Sequence, residues 1–185
     1  MLRTKGVEDV LVSVLTPSIP ERSVMLRECM HSVAAQTVGC WEHLIKVDKK
    51  RAGCAVTMNE LARAAEGQWL LPLADDDLLL PGALASLLPW TNGTGTIVYA
   101  PPLVWGREEG PFLQTPPHIP SFALVHRDLW FELAGYDETL RREEDRDLWT
   151  RAAAQGIQFR KVVGAPTWVY RHHEGNKSFA NGVAS

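Results

Sequence analysis

Three consecutive carboxylates, Asp75, Asp76 and Asp77, interrupt an otherwise apolar run over residues 69–80. Apolar residues on both sides predict that the run enters and leaves a core, so the acids should lie where a buried strand surfaces at its C-terminal end. Carboxylate oxygens suit Mg²⁺ or Mn²⁺, which commonly bridge a protein carboxylate and a substrate diphosphate. Taken alone, such a triplet is more often a solvated acidic turn.

Another carboxylate, Asp48, follows a strand predicted over residues 43–47 and precedes three cations, Lys49, Lys50 and Arg51. Asp48 could accept hydrogen bonds from a nucleobase ring N–H or from ribose hydroxyls, and the cations could face phosphates. The alternative for this segment is a solvated charged loop.

A further acid, Asp145, falls in the first turn of a helix predicted over residues 141–155. The helix dipole stabilises an anion there, so Asp145 should remain ionised near neutral pH and able to accept a proton, as a general base must. The alternative is an acid that satisfies the free amides of the helix N-terminus. Helical spacing places Asp145 on one inward stripe with Leu148, Trp149 and Ala152.

Two adjacent histidines, His172 and His173, follow the last predicted strand. One neutral imidazole could complete a metal shell begun by the aspartates, although neighbouring histidines point in different directions and are more often simple surface residues. Of the seven tryptophans, Trp69 and Trp149 fall at core positions. Only Trp105, in a proline-rich loop, is a candidate for contact with a ligand.

Alternating strands and helices would position these side chains in an α/β fold. Strands are predicted at residues 10–15, 43–47, 69–73, 96–100, 122–125, 159–163 and 167–170. Helices are predicted after an N-cap at Ser23, along the face of Met58, Leu61, Ala62 and Ala65, and at residues 81–88, 128–133 and 141–155. The first strand should stop at Thr16-Pro17, and Pro72 should place its strand at an edge or a bulge. This order predicts a mostly parallel central sheet flanked by helices.

Composition indicates one soluble domain. The 185 residues are 45% hydrophobic and 22% charged, with a formal net charge of −3, so no broad basic field argues for nucleic acid or an anionic membrane. Three cysteines without a CxxC pair indicate a reducing compartment. No stretch approaches the ~20 apolar residues of a membrane span, so we expect a cytoplasmic protein.

Residues 101–120 contain six prolines and should border the site, and a polar tail from about residue 174 should be mobile.

Taken in order, these segments resemble the family 2 glycosyltransferases with the GT-A fold over nearly the whole chain. The resemblance is carried by VSVLTPSIPER with RECMHSVAAQT, KVD, MNELARAAEGQWLLPLADDDLLLPGAL, GYDETLRREEDRDLWTRAAAQG and YRHHEGNKS. Each piece alone is weak, but their joint order and spacing are specific. The resemblance implies a single GT-A (Rossmann-like) domain, a nucleotide-diphosphosugar donor and a Mn²⁺ or Mg²⁺ cofactor.

The resemblance also implies a donor site. Thr16, Pro17 and Asp48 match positions that contact the nucleotide, with Asp48 at the base-reading carboxylate, and Asn59 lies in a matching segment. Uridine is the commonest donor base in the resembling family, so a UDP-sugar is the expected donor.

The acidic triplet matches the metal and diphosphate motif of the family. Asp76 and Asp77 fall on its last two acids, whereas its usual first acid falls on Ala74. Asp75 could replace that acid by a shift of one residue and contact the nucleotide sugar. His173 matches a histidine that can reach the metal.

Glu144 and Asp145 match the family's Glu-Asp pair, whose aspartate is the usual catalytic base. Asp145 would take the proton from an acceptor hydroxyl as it attacks the anomeric carbon, which gives inversion in one displacement.

Two alternatives stay open. A nucleotidyltransferase would be favoured by a Gly-rich loop after the first strand, but the loop TPSIPER is not Gly-rich. A non-catalytic nucleotide-sugar binding module is favoured by Ala74. Because the chain lacks a long C-terminal extension, we expect a soluble acceptor such as a protein surface or small glycan.

Overall fold

The computed structural model describes residues 1–105, 120–164 and 166–173. Its strands are β1 Leu2–Lys5, β2 Val12–Ser18, β3 Trp41–Val47, β4 Trp69–Pro72, β5 Leu78–Leu79, β6 Thr96–Tyr99, β7 Pro102–Trp105, β8 Ala123–His126, β9 Gln158–Lys161 and β10 Trp168–Arg171. Its helices are α1 Ser23–Ala34, α2 Cys54–Ala64, α3 Ala83–Leu87, α4 Arg127–Glu132 and α5 Glu144–Ala154. Within these ranges, no helix is both long and apolar enough to cross a membrane. The proposed mobile tail lies outside the described residues, as does most of the proline-rich loop.

The central sheet has seven strands in the described part of the chain, in the order β1-β3-β2-β4-β8-β6-β9. β2 lies parallel to both β3 and β4, whereas β8 is antiparallel to its neighbours β4 and β6. β9 is parallel to β6, and β1 is antiparallel to β3 at one edge. Because β8 is antiparallel to both β4 and β6, these two neighbours run in the same direction. The strands β2, β3, β4, β6 and β9 are therefore all parallel, and the mostly parallel sheet is confirmed.

Helices cover both faces of this sheet, because successive residues of a buried strand point to opposite sides. In β2, Val14 packs into a core shared with α1 and α3, and the next residue, Leu15, packs into a core shared with α2, α4 and α5. Trp69 belongs to the first core and Trp149 to the second, as their sequence positions predict. This layered arrangement is the expected α/β class.

A second sheet lies against the acidic triplet. It has the order β5-β10-β7 in the described residues, with β10 antiparallel to β5 and parallel to β7. β5 starts at Leu78, directly after Asp77, so the small sheet begins where the triplet ends. The backbone N–H of Arg171 in β10 donates to Asp77 Oδ1 at 3.1 Å, which ties this sheet to the triplet.

Two strand predictions were wrong at prolines. β2 continues through Pro17, which lies opposite Lys46 of β3, instead of ending there. β4 is central, between β2 and β8, and not an edge strand. Leu73 N–H bonds back to Leu15 of β2, so the nitrogen of Pro72 faces β8, whose pairing with β4 involves only Trp69 and Leu70. The missing N–H of Pro72 therefore costs no ladder hydrogen bond.

Two helix starts also differ from the sequence prediction. Ser23 is the first residue of α1 and not its N-cap, because a 3₁₀ turn over Pro20–Arg22 leads directly into the helix. α5 begins at Glu144, later than the predicted residue 141, because Glu143 has a left-handed backbone conformation with φ 59°. That conformation ends the preceding loop and places Asp145 in the first helical turn, as expected.

Candidate functional site

The C-terminal ends of β2 and β4 and the loop after β3 surround two adjoining cavities. The first, of about 350 Å³, is lined by Asp48, Asp75, Asp76 and Asp77 among others, and we call it the triplet cavity. The second, of about 360 Å³, is lined by Asp145 and is called the Asp145 cavity. The residues that line both cavities are Pro17, Cys54, Ala74, Ser121 and Glu144.

The acidic triplet is buried. Asp75, Asp76 and Asp77 expose 3%, 5% and 3% of their surface, and the N–H of Asp77 closes a turn onto the carbonyl of Ala74 at 3.1 Å. Three buried carboxylates repel one another strongly unless a cation or a proton neutralises them. A merely solvated turn therefore does not describe this segment.

Arg22 supplies the neutralising cation in the triplet. Its Nη1 donates to Asp75 Oδ1 and to Asp76 Oδ2, both at 2.8 Å, and Ser18 Oγ donates to Asp75 Oδ2 at 2.6 Å. Burial lowers the pKa of Arg22, but the hydrogen bond to Asp75 and the charges of the triplet outweigh burial and raise it. Arg22 is therefore a permanent positive charge in the wall of the triplet cavity.

Asp77 is set apart from the other two acids. Burial is the main cause that raises the pKa of Asp77 well above its ordinary value, and the neighbouring charge of Asp76 adds to it. Burial therefore disfavours the charged carboxylate at Asp77 relative to an exposed aspartate. Arg171 also contacts the carbonyl of Asp76 and the carboxylate of Glu28, which fixes the triplet against α1.

His173, the histidine predicted to reach a metal ion, lies against the triplet. Its Nε2 lies 3.1 Å from Asp76 Oδ2, whereas the backbone N–H of His172 bonds to the carbonyl of Trp105. Among the described residues, no three acids, histidines or cysteines converge closely enough to hold a metal ion by themselves. Mg²⁺ is often held by one or two carboxylates plus substrate phosphates, so Asp76 and His173 fit an ion whose other ligands come from a diphosphate.

Asp48 also lines the triplet cavity and shapes the loop after β3. It is 8% exposed, and its Oδ2 accepts the N–H of Gly53 at 2.8 Å. Burial raises the pKa of Asp48, but hydrogen bonds from the backbone N–H groups of residues 50–53 outweigh burial and lower it. Arg51 lines the same cavity and pairs with Glu21, and all three cations, Lys49, Lys50 and Arg51, are exposed.

Two residues predicted to bind the nucleotide sugar, Thr16 and Asn59, line neither cavity. Thr16 is fully buried, and its Oγ1 lies 2.8 Å from His43 Nε2. The amide of Asn59 donates to Tyr136 O and Glu138 Oε1 and accepts the N–H of Tyr136. Both side chains thus hold the scaffold under the site in this structure. Pro17, by contrast, does line both cavities.

The buried imidazole beside Thr16 predicts acid sensitivity. Burial lowers the pKa of His43 from 6.5 to about 3, so the unfolded chain binds a proton that the folded chain rejects as pH falls. The free energy of unfolding is highest above pH ~6.5 and falls as the pH approaches ~3. Between pH 7 and pH 5 the fall is about 2 kcal/mol. We expect His43→Gln, which keeps a partner for Thr16, to remove this loss. Urea unfolding at both pH values measures it, and equal pH slopes in the two proteins would contradict the prediction.

Asp145 lies at the first turn of α5 and is partly buried. Arg142, Glu143 and Glu144 line its cavity with it, facing apolar residues that include Met58. Burial is the main cause that raises the pKa of Asp145, opposed by the N–H of Arg146, which donates to Asp145 Oδ1 at 2.8 Å. A raised pKa makes the carboxylate a stronger proton acceptor than an exposed aspartate.

Several cavity residues were missed by the sequence reasoning. Ser18 and Arg22 contact the acidic triplet, and Cys54, Ser121 and Tyr170 line one or both cavities. One signal could have identified Arg22: it is the only cation in the loop TPSIPER, directly after the first predicted strand. Trp105, the tryptophan singled out for a ligand, is 65% exposed and lines neither cavity.

Solved structures share this architecture at low sequence identity. S. aureus TarS 1–349 in complex with UDP-GlcNAc has a TM-score of 0.72 and 14% identity over 94% of this chain and 62% of that chain. TarS 1–349 in complex with UDP has a TM-score of 0.71 and 14% identity over 88% and 61%. The mannosyltransferase PcManGT from Pyrobaculum calidifontis, in complex with GDP-Man and Mn²⁺, has a TM-score of 0.68 and 15% identity over 91% and 59%.

The similarity is one of structure. No protein-family model and no curated protein matches the sequence. The chain spans about three fifths of the length of the TarS 1–349 and PcManGT chains. A likeness at this identity shows a shared fold and leaves the chemistry to be argued from the site. The chain therefore has the GT-A-type α/β fold that these structures share.

Proposed function

We propose that this chain is an inverting glycosyltransferase of the family 2 type, which moves a sugar from a nucleotide-diphosphosugar donor to an acceptor hydroxyl. One observation carries the proposal: two adjoining cavities at the C-terminal sheet edge share a wall. One contains Asp48 and the acidic triplet, and the other contains Asp145. A donor in the triplet cavity and an acceptor in the Asp145 cavity could therefore meet where the two cavities adjoin.

The donor nucleotide would occupy the triplet cavity. Asp48 would accept hydrogen bonds from the base, and Pro17 would contact the nucleotide at the end of β2. We propose a UDP-sugar as donor, supported by the resemblance of the sequence and by the TarS complexes with UDP and UDP-GlcNAc, which share the fold. Arg22 and Arg51 line this cavity and could offset the negative charge of the diphosphate.

A divalent ion, Mn²⁺ or Mg²⁺, would lie between the triplet and the diphosphate. Asp76 and His173 would hold it, and its remaining ligands would come from the diphosphate. PcManGT was solved with Mn²⁺, which supports such an ion in this fold. When bound, the ion would offset the charge that develops on the departing diphosphate.

Asp145 would act as the catalytic base. The acceptor oxygen forms a bond to the anomeric carbon while the bond to the diphosphate oxygen breaks, and the diphosphate leaves with the electron pair. The proton of the acceptor hydroxyl passes to the carboxylate of Asp145. Attack from the face opposite the leaving group inverts the anomeric configuration. Glu144, which lines both cavities, would contact the donor sugar.

Calorimetric titration tests the donor site. UDP, GDP and TDP are each titrated into the protein with Mn²⁺, with Mg²⁺ or with a chelator. We expect UDP to bind most tightly, with an affinity that falls by about tenfold or more when the chelator replaces the metal. Absence of binding by all three nucleotides under all conditions would contradict the proposal.

A non-catalytic nucleotide-sugar binding module is the second candidate. Ala74 stands where the family motif has an acid and lines both cavities, and Arg22 already pairs with two acids of the triplet, Asp75 and Asp76. Such a module would bind a nucleotide in the titration above but would release no UDP from UDP-sugars in the presence of acceptors. Asp145 in the adjoining cavity favours the enzyme.

A further inference from the structure

A single guanidinium nitrogen connects two acids of the triplet. Arg22 Nη1 lies 2.8 Å from both Asp75 Oδ1 and Asp76 Oδ2. The side chain of Arg22 is 22% exposed, and those of Asp75 and Asp76 are 4% and 7% exposed. Ion pairs this sheltered from water are screened less than surface pairs, so the arginine is a strong competitor for any other cation at these oxygens.

The oxygen best placed for a metal is already engaged twice. Asp76 Oδ2 contacts both Arg22 Nη1, at 2.8 Å, and His173 Nε2, at 3.1 Å. A divalent cation at this oxygen would lie close to the guanidinium charge and would be repelled by it. Among the described residues, no third acid, histidine or cysteine completes a shell that could offset this repulsion.

We propose that Arg22 is the resident counter-cation of the acidic triplet and thereby sets the order of binding. A free divalent ion binds poorly, and the ion binds Asp76 only together with a nucleotide diphosphate. When Arg22 moves away from Asp76, its charge pairs with the diphosphate instead. A guanidinium is suited to this because it forms paired hydrogen bonds with phosphate oxygens. This inference rests on the proposed donor site.

Binding of Mn²⁺ alone to the full chain tests the competition. Electron paramagnetic resonance counts the unbound ion in titrations of wild type, Arg22→Gln, Arg22→Lys and the control Arg27→Gln, which removes the same charge from an exposed position on α1. We expect Arg22→Gln to bind free Mn²⁺ about tenfold more tightly than wild type. Arg22→Lys, which keeps the charge, and Arg27→Gln should bind it as weakly as wild type. Equal affinity in wild type and Arg22→Gln would overturn the proposal.

Binding of UDP without metal is the second measurement. The affinity of Arg22→Gln for UDP in chelator should fall about tenfold below that of wild type and of Arg27→Gln, because the cation that receives the diphosphate is gone. An unchanged affinity would overturn the phosphate-binding role. Failure of wild type to bind any nucleotide, with or without metal, would instead refute the proposed function, while the Mn²⁺ titration would still report on Arg22. Thermal unfolding of each variant verifies that it is folded. If Arg22→Gln is not folded, Arg22→Met, which is also uncharged, takes its place in both titrations with the same expected results.

Discussion

Replacing Asp145 by asparagine is expected to lower the turnover number about a thousandfold, which lies within the usual contribution of a general base. Asparagine has nearly the same shape and can still accept the N–H of Arg146, so the start of α5 should be preserved. It cannot accept the acceptor proton at neutral pH. Affinity for UDP with Mn²⁺ should stay close to that of wild type, since the nucleotide would occupy the neighbouring cavity.

Initial rates of UDP release with saturating donor and acceptor measure the effect, and calorimetry measures UDP binding in parallel. Glu132→Gln is the matched control, because it removes the same charge from an exposed residue of α4. Turnover by Asp145→Asn at the wild-type rate would refute the assignment of the base.

The raised pKa of Asp145 also predicts that wild-type activity falls on the acid side at a pH above the usual aspartate value of about 3.9.

Replacing Asp76 by asparagine should remove the dependence of nucleotide binding on metal. Asparagine can still accept hydrogen bonds from Arg22 and His173, so the turn after β4 should keep its shape. It loses the negative charge that a divalent ion requires. Changes to residues that only support a metal ligand already weaken metal binding by about 10–100-fold, so we expect UDP affinity in Mn²⁺ to fall by about tenfold or more, to the value measured in chelator.

Calorimetric titration of UDP with Mn²⁺ and with chelator measures this loss. Asp9→Asn, which removes an exposed acid distant in sequence from the triplet, is the control and should keep the wild-type response to metal. If Asp76→Asn retained tight, metal-dependent binding, the ion would have to be held by other residues, and the metal role of Asp76 would be wrong.

The buried part of the fold is readable in the sequence. The strands around Val14, Leu44 and Leu70 are apolar because both of their faces are covered, and Met58 and Leu61 recur at helical spacing. β1 was missed because all four of its residues are exposed and no apolar pattern marks it. The start of α5 was placed too early, since a left-handed residue inside a charged run leaves no trace in hydrophobic periodicity.

Within the site, the sequence predicts which residues follow a strand but not where their side chains point. Asp48 and Asp76 follow strands, as predicted, and both line the triplet cavity. Thr16 also lies near a strand end, yet it is still within β2 and faces His43 in β3. The contacts of Arg22 cross 53 and 54 residues of chain, and no local pattern indicates pairings of that length.

The two prolines at strand ends have a thermodynamic consequence for the cavities they line. Pro17 contributes to both cavities and Pro72 to the Asp145 cavity. The pyrrolidine ring fixes φ near −65°, so the backbone at these points has little freedom to lose when a ligand binds. This part of the wall is preorganised, and the entropic cost of binding should come mainly from side chains such as Arg22 and from the ligand itself.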